Sequence, residues 1–187
     1  MSKFWTHSKR QRVLTIVIFF VFAILATVIG ILVPLSAQSA ASENNALNNT
    51  QHQIHGMDLL HRTAAIFENN FEICLIMFIP VVGVILGSIV MFNTGSYIQA
   101  EIITDNATKG TNYPPILAFL VLFIFPFTWL EFISYSTAFS ESFWFIRRGL
   151  QGKWVREIIN LAKLVAITAV LLAAGALIEA MLIGVLG

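Results

Sequence analysis

The chain has 187 residues, of which 57% are hydrophobic and only 11% are charged. Soluble domains average about 45–50% apolar and about 25% charged residues, so this composition argues against a soluble globular protein and for an integral membrane protein. The net charge of +1 leaves no basic surface for nucleic acid, and the single cysteine excludes an intramolecular disulfide.

Basic residues precede the first long apolar run. Lys9, Arg10 and Arg12 lie before residues 13–35, and about 20 apolar residues suffice to cross the hydrocarbon core of a bilayer. The run is longer than the roughly 7–15 residues of a signal-peptide core. We therefore predict a first transmembrane helix over residues 13–35, with the N-terminus in the cytoplasm because basic residues favour that side.

Residues 36–70 form the main polar segment, which we predict to be a loop on the outer side of the membrane. Titratable side chains recur there at steps of three residues: His52, His55, Asp58 and His61. On a helix each is rotated by about 60° from the last, so neighbouring pairs could share a metal whereas all four could not. The same spacing is typical of a short amphipathic helix with histidines on its wet face, and we favour that interpretation over a metal site.

The second apolar run, residues 71–92, carries Pro80 near its middle. Gly83 and Gly87 form a G-x-x-x-G pair, which allows two helix backbones to approach closely. The pair serves packing within one subunit as well as it serves a dimer contact, and we favour packing within the subunit. Asn93-Thr94-Gly95 then predicts the end of this helix, followed by an amphipathic stretch on the membrane surface.

The third apolar run, residues 116–139, contains the most informative stretch of the chain. Proline removes a backbone donor and clashes with the preceding turn, so we predict that the helix is broken at Pro126. Glu131 follows this break at membrane depth, where a carboxyl group is costly without a partner or water. We therefore select Glu131 as the leading candidate for a functional residue.

The third run leaves the topology open. If it crosses the membrane once, the basic residues that follow it fall outside, against the positive-inside tendency: Arg147, Arg148, Lys153 and Arg156. If the chain turns back at Pro126 as a re-entrant hairpin, they stay in the cytoplasm, and such irregular backbone is tolerated only where protein or water covers it. We expect a broken third span, with the hairpin as the alternative.

The last apolar run covers residues 158–186. Small residues at steps of three or four predict a face that packs tightly against another helix: Ala169, Ala173, Ala176, Ala180 and Gly184. Glu179 lies beside this face. We interpret it as a weaker functional candidate than Glu131, because its side chain is close enough to the end of the run to reach the membrane interface.

Four short motifs lie between residues 60 and 187. They are Phe67-Glu68-Asn69-Asn70, Gly83 and Gly87 with Asn93-Thr94-Gly95, Pro126-Phe127-Thr128-Trp129-Leu130-Glu131, and Ala173-Ala174-Gly175-Ala176-Leu177-Ile178-Glu179-Ala180. Together they resemble the stage II sporulation protein M (SpoIIM-like) family of integral membrane proteins. The proline motif departs from the family's Pro-His-Gly-x-x-Glu element, since Phe127 and Thr128 replace the histidine and the glycine. The resemblance implies a helical membrane protein without catalytic activity that serves as a partner subunit. It adds Asn69, Asn70 and Asn93 to the candidate polar or packing residues.

The sequence therefore predicts a single all-α membrane domain with about four transmembrane helices. It contains no Ser-His-Asp arrangement, Gly-rich phosphate loop or H-E-x-x-H element, so we expect no catalytic residues and no cofactor. The leading hypothesis is a non-catalytic subunit that packs into and stabilises a larger complex in the cell membrane, such as a metal-dependent enzyme, with lipid and other integral membrane subunits as partners. The alternative is a small transporter or channel component that uses Glu131. A third hypothesis, a metal enzyme, rests on His52, His55 and His61.

Overall fold

The computed structural model describes the backbone of residues 2–186 and the side chains of residues 9–36, 38–45 and 53–185. Within these residues the protein is all-helical, which confirms the predicted fold class. The helices follow one another in the order α1 (Ser2–Leu32), α2 (Ala37–His55), α3 (Leu59–Met77), α4 (Val82–Lys109), α5 (Pro115–Leu122), α6 (Pro126–Gly149) and α7 (Trp154–Leu186).

Three of the described helices are long and apolar enough to cross a bilayer: Lys9–Leu32 of α1, all of α4, and Trp154–Val185 of α7. α5 and α6 together form a fourth candidate span, whose two parts are bent by 88° at the break between them. The chain is thus a multi-pass membrane protein, as its composition predicted.

The predicted break at Pro126 is confirmed. Pro126 is the first residue of α6, and α5 ends four residues earlier at Leu122. Two side chains of α6 donate to carbonyl groups at the break: the Thr128 hydroxyl donates to the Leu122 oxygen at 2.7 Å, and the Trp129 indole donates to the Phe123 oxygen at 2.8 Å. These bonds explain how the chain tolerates an open helix end among apolar residues.

The polar segment 36–70 is not a loop. Residues 37–55 form α2, and residues 59–70 form the first part of α3. Alanine, leucine, glutamine and glutamate are good helix formers, so a low hydrophobicity here does not mean irregular backbone. α2 packs against α4.

The single span predicted for residues 71–92 is also wrong, because Pro80 ends one helix and does not merely kink it. α3 stops at Met77, residues 78–81 form a tight turn, and α4 begins at Val82. In the turn the Val82 amide donates to the Pro80 oxygen at 2.8 Å, and Val81 has φ = +66°. A β-branched residue rarely adopts this conformation, so the turn is strained.

The predicted helix end at Asn93-Thr94-Gly95 does not occur, since α4 continues to Lys109. Gly95 instead brings α4 into backbone contact with α1. A Cβ atom on Gly95 would lie 2.0 Å from the Thr27 oxygen, and one on Gly30 would lie 2.0 Å from the Phe92 oxygen. Glycine at this position serves helix packing and not a turn.

The ends of the bundle are defined by contacts between distant residues. At the first, named here the Arg12 end, Arg12 pairs with Glu141 near the C-terminus of α6 and with Glu157 near the N-terminus of α7. The Ser142 hydroxyl donates to the Ile79 oxygen at 3.0 Å, so the turn between α3 and α4 lies at this end too.

The opposite end, named the Leu32 end, holds the start of α3 and the end of α7. The Arg62 guanidinium donates to the Ala180 oxygen at 3.1 Å there. α3 therefore extends from one end of the bundle to the other, antiparallel to α7. As a result, the basic residues at and after the end of α6 lie at the Arg12 end. The hairpin alternative also placed them on the side of the N-terminus, but the reason here is the course of α3 along the bundle.

Aromatic side chains from α1, α5 and α6 form the main core. Phe19 stacks on Phe139 at 5.7 Å between ring centroids, and Phe123 contacts Phe132 at 5.3 Å. Gly87 faces this core, because a Cβ atom on it would lie 2.6 Å from the Phe139 ring.

The predicted small-residue contacts are mostly internal to the chain. A Cβ atom on Gly83 would lie 2.3 Å from the Met77 oxygen, so both members of the G-x-x-x-G pair pack inside the subunit. On α7, Ala176 and Ala180 are buried and Ala169 is half-buried, but Ala173 is exposed. The buried stripe of α7 is centred on Leu172 and Ala176, which leaves Ala173 at the edge of the face.

Candidate functional site

A cavity of about 690 Å³ lies between α3, α4, α6 and α7, in the half of the bundle nearer the Leu32 end. All the polar candidates of the membrane segments line it: Asn69, Asn70, Asn93, Glu131 and Glu179. They come from four separate helices. Their convergence on one cavity makes this the candidate functional site.

Glu131 is positioned by the broken helix. Pro126 starts α6 where α5 ends, so Glu131 lies in the second turn of α6 and faces α3. The Asn70 amide donates to a Glu131 oxygen at 2.7 Å, and the Asn69 amide donates to the Asn70 oxygen at 3.2 Å. The two asparagines form a short hydrogen-bonded chain that leads from the mouth of the cavity to the carboxyl group.

Glu179 is the second carboxyl group of the cavity. Among the described residues it has no hydrogen-bond partner and no ion-pair partner. Its neighbour Ala180 is buried against α3, where the Ala180 oxygen accepts from Arg62. The polypeptide thus fixes the backbone at Glu179 firmly, while the carboxyl group is left available to a molecule in the cavity.

The remaining walls are partly apolar. Ile66, Ile73 and Val90 line the inner part of the cavity, and Ile54 and Met57 of the segment before α3 cover it at the Leu32 end. Asn69, Asn93 and Tyr97 are exposed and form its mouth between α3 and α4. The cavity therefore suits a molecule with both a charged and an apolar part.

The histidine segment is not part of this site. His55 and His61 are exposed, and His52 lies outside the described side chains. Asp58 caps α3, and its pKa is lowered mainly by the hydrogen bond that it accepts from the backbone N–H of His61. No group of three His, Cys, Asp or Glu side chains that could hold a metal is found among the described residues. His61 pairs with Asp58 at 2.6 Å and has a structural role.

A polar cluster that sequence reasoning missed lies at the Arg12 end. Arg12 pairs with both Glu141 and Glu157, whose side chains are buried, and the guanidinium carbon of Arg12 lies 5.3 Å from the centre of the Trp144 ring. The Trp144 indole donates to the Thr15 hydroxyl at 2.8 Å. These residues contact one another and come from three helices, so the cluster joins α1, α6 and α7. The close spacing of Glu141, Trp144 and two arginines was the available signal.

The chain's own geometry is the basis for any assignment of function. Comparison with models of protein families, with curated proteins and with solved structures finds no match to this chain.

Proposed function

We propose that the protein is a non-catalytic subunit of a larger membrane complex and that the outer face of α3 contacts the neighbouring subunit. This face is defined by the exposed residues His61, Ala64, Glu68, Glu72 and Leu75. The observation that carries the proposal is the exposure of two carboxylates, Glu68 and Glu72, on a helix that runs beside the apolar α7.

The depth of these carboxylates follows from the contacts of α3. Arg62 contacts Ala180 near one end of α7, and Glu68 and Glu72 follow it at about 9 and 15 Å along the helix, at about 1.5 Å per residue. They therefore lie alongside the central part of α7. An acidic residue at the centre of a membrane helix costs about 2.5–3.5 kcal/mol by insertion measurements, so lipid is an unfavourable neighbour for both.

A helix of another subunit is a better neighbour for this face. Its residues recur at steps of three and four, which forms one stripe along α3 that a single helix can cover. A lysine or arginine on that helix would pair with Glu68 and Glu72 and offset their removal from water. The resemblance to the SpoIIM-like family, whose members act as partner subunits, supports the same role.

Mild detergent extraction of native membranes, followed by blue-native electrophoresis and mass spectrometry, tests this proposal. We expect the wild-type chain to migrate with at least one other integral membrane protein. Glu72→Lys should release that partner, because it replaces an attraction between opposite charges with a repulsion. Glu101→Lys makes the same change of charge on an exposed position of α4 and serves as the matched control.

Two results would contradict the proposal. The first is a wild-type chain that migrates alone. The second is an equal effect of the two lysine substitutions, which would mean that the complex responds to charge in general and not to the outer face of α3.

The alternative function is a component of a small transporter or channel. Glu131 favours it, because this carboxyl group opens on a cavity beside a broken helix, an arrangement that lines ion and proton paths in transporters. A lone protomer in the extraction experiment would shift the assignment to this alternative.

We further infer that the Arg12 end faces the cytoplasm of a cell membrane. Lys9 and Arg10 lie at the start of the α1 span, Arg147 lies in the last turn of α6, and Lys153 follows α6 at the same end. Cytoplasmic segments are enriched in lysine and arginine, so one end with most of the basic residues supports this orientation.

A further inference from the structure

We propose that the cavity binds an organic cation through an ammonium group that lies between Glu131 and Glu179. Both carboxyl groups line the same cavity and come from different helices, α6 and α7. The proposal does not depend on the presence of a partner subunit, because the whole cavity is built within one chain.

The missing partner of Glu179 is the first reason to expect a cation. Glu131 accepts one hydrogen bond from Asn70, whereas Glu179 has neither a hydrogen bond nor an ion pair among the described residues. Both carboxyl groups line the same cavity, so one positive charge in the cavity stabilises the ionised form of each. Among the described residues no lysine or arginine lines the cavity, and we therefore infer that a ligand supplies the charge.

The size of the cavity selects an organic cation over a metal ion. Pockets for small molecules typically have volumes of about 300–1,000 Å³, and the cavity of 690 Å³ falls within this range. A calcium ion requires about six to eight oxygen atoms at about 2.3–2.6 Å. The described residues contain no group of three acidic, histidine or cysteine side chains arranged for a metal.

The lining also indicates the shape of the ligand. The carboxyl groups would hold the ammonium group, and Ile66, Ile73 and Val90 offer an apolar wall for an attached hydrocarbon part. Asn69 and Asn93 are exposed at the mouth between α3 and α4. An amphiphilic amine can enter by that route with its polar group solvated by the two amides.

Two sources supply this chemistry: a soluble amine, and the headgroup of an aminophospholipid. Both carry an ammonium group on an otherwise neutral or apolar body. The experiment therefore includes one arm for each source.

Calorimetric titration of the purified full-length protein in detergent tests the proposal, with hexylammonium chloride as the probe and hexan-1-ol as its neutral counterpart. We expect the ammonium compound to bind at least tenfold more tightly than the alcohol. Glu179→Gln should weaken its binding at least tenfold. Asp105→Asn removes a carboxylate of α4 that lies outside the cavity and should change the affinity less than twofold.

Thr94→Phe is a second variant, which narrows the cavity and leaves both carboxyl groups in place. It should also weaken binding of hexylammonium, so the test does not depend on Glu179→Gln folding correctly. Equal affinities for the amine and the alcohol, or wild-type affinity in both cavity variants, would overturn the proposal.

Native mass spectrometry of the extracted protein distinguishes the two sources. A bound phosphatidylethanolamine that hexylammonium displaces identifies the lipid headgroup as the ligand. A protein that binds hexylammonium without releasing any lipid identifies a soluble amine. A bound lipid without an amino group that hexylammonium fails to displace would count against the cavity as an ammonium site.

Discussion

Arg12 shows how much one side chain contributes to the arrangement of three helices. Its guanidinium contacts Glu141 and Glu157, whose side chains are 2% and 0% exposed. Two buried carboxylates without a counter-charge are strongly unfavourable, so the paired state depends on this single residue of α1. Arg148 lies 3.7 Å from Glu157 and shares only part of the charge.

We expect Arg12→Gln to lower the free energy of unfolding by about 3–5 kcal/mol, the usual cost of removing one member of a buried ion pair. Thermal unfolding in detergent measures the effect. Arg10→Gln is the matched control, because Arg10 is exposed and should tolerate the change. Equal melting temperatures for the two variants would show that the buried carboxylates do not need Arg12.

The turn between α3 and α4 is the most strained element of the described chain. Val81 adopts φ = +66°, where glycine is favoured and a β-branched side chain is rare. The turn connects α3 and α4, two of the helices that line the cavity.

We expect Val81→Gly to stabilise the protein by about 1 kcal/mol, because relief of the backbone strain exceeds the entropy that glycine adds to the unfolded chain. The melting temperature in detergent should rise. Val82→Gly is the comparison, since Val82 begins α4 with ordinary helical geometry and glycine should destabilise it. A fall in melting temperature for both variants would refute the strain at Val81.

The elements differ in how well the sequence predicts them. The break at Pro126 was predictable, because the geometry of proline acts locally. α3 was missed as a full-length helix because Glu68, Asn69 and Asn70 lower the mean hydropathy of this part of the sequence. Mean hydropathy depends on composition alone and carries no information about which helices pack against α3.

The residues of the polar site also differ in how far the sequence predicts them. Glu131 was identifiable as an unusual residue in an apolar run, whereas Asn70 and Asn93 became candidates only through the family resemblance, and the convergence of all three on one cavity depends on packing among four helices. The pairs of Arg12 with Glu141 and Glu157 join residues 129 and 145 positions apart, which local patterns do not encode.

At the scale of the whole molecule, the course of α3 determines the topology. Because α3 extends from the Leu32 end to the Arg12 end, α4 returns toward the Leu32 end and α6 again approaches the Arg12 end. The loop at Asn112 and the loop at Lys153 are therefore at opposite ends of the bundle.

We expect Lys153→Cys to react with a membrane-impermeant maleimide only after the cells are opened, and Asn112→Cys to react in intact cells. Both positions are exposed. The only native cysteine, Cys74, is buried and should give little background. Labelling of both positions from the same side would contradict the topology.

The backbone contact between α1 and α4 limits how the cavity can change its width. Because Gly30 and Gly95 bring these two helices together without intervening side chains, α1 packs directly against the backbone of α4, which is one wall of the cavity. Widening of the cavity then requires movement of α3, α6 or α7, and Arg62 joins α3 and the segment before it to α7. The largest ligand that the cavity admits therefore depends on whether the hydrogen bond from Arg62 to the Ala180 oxygen holds.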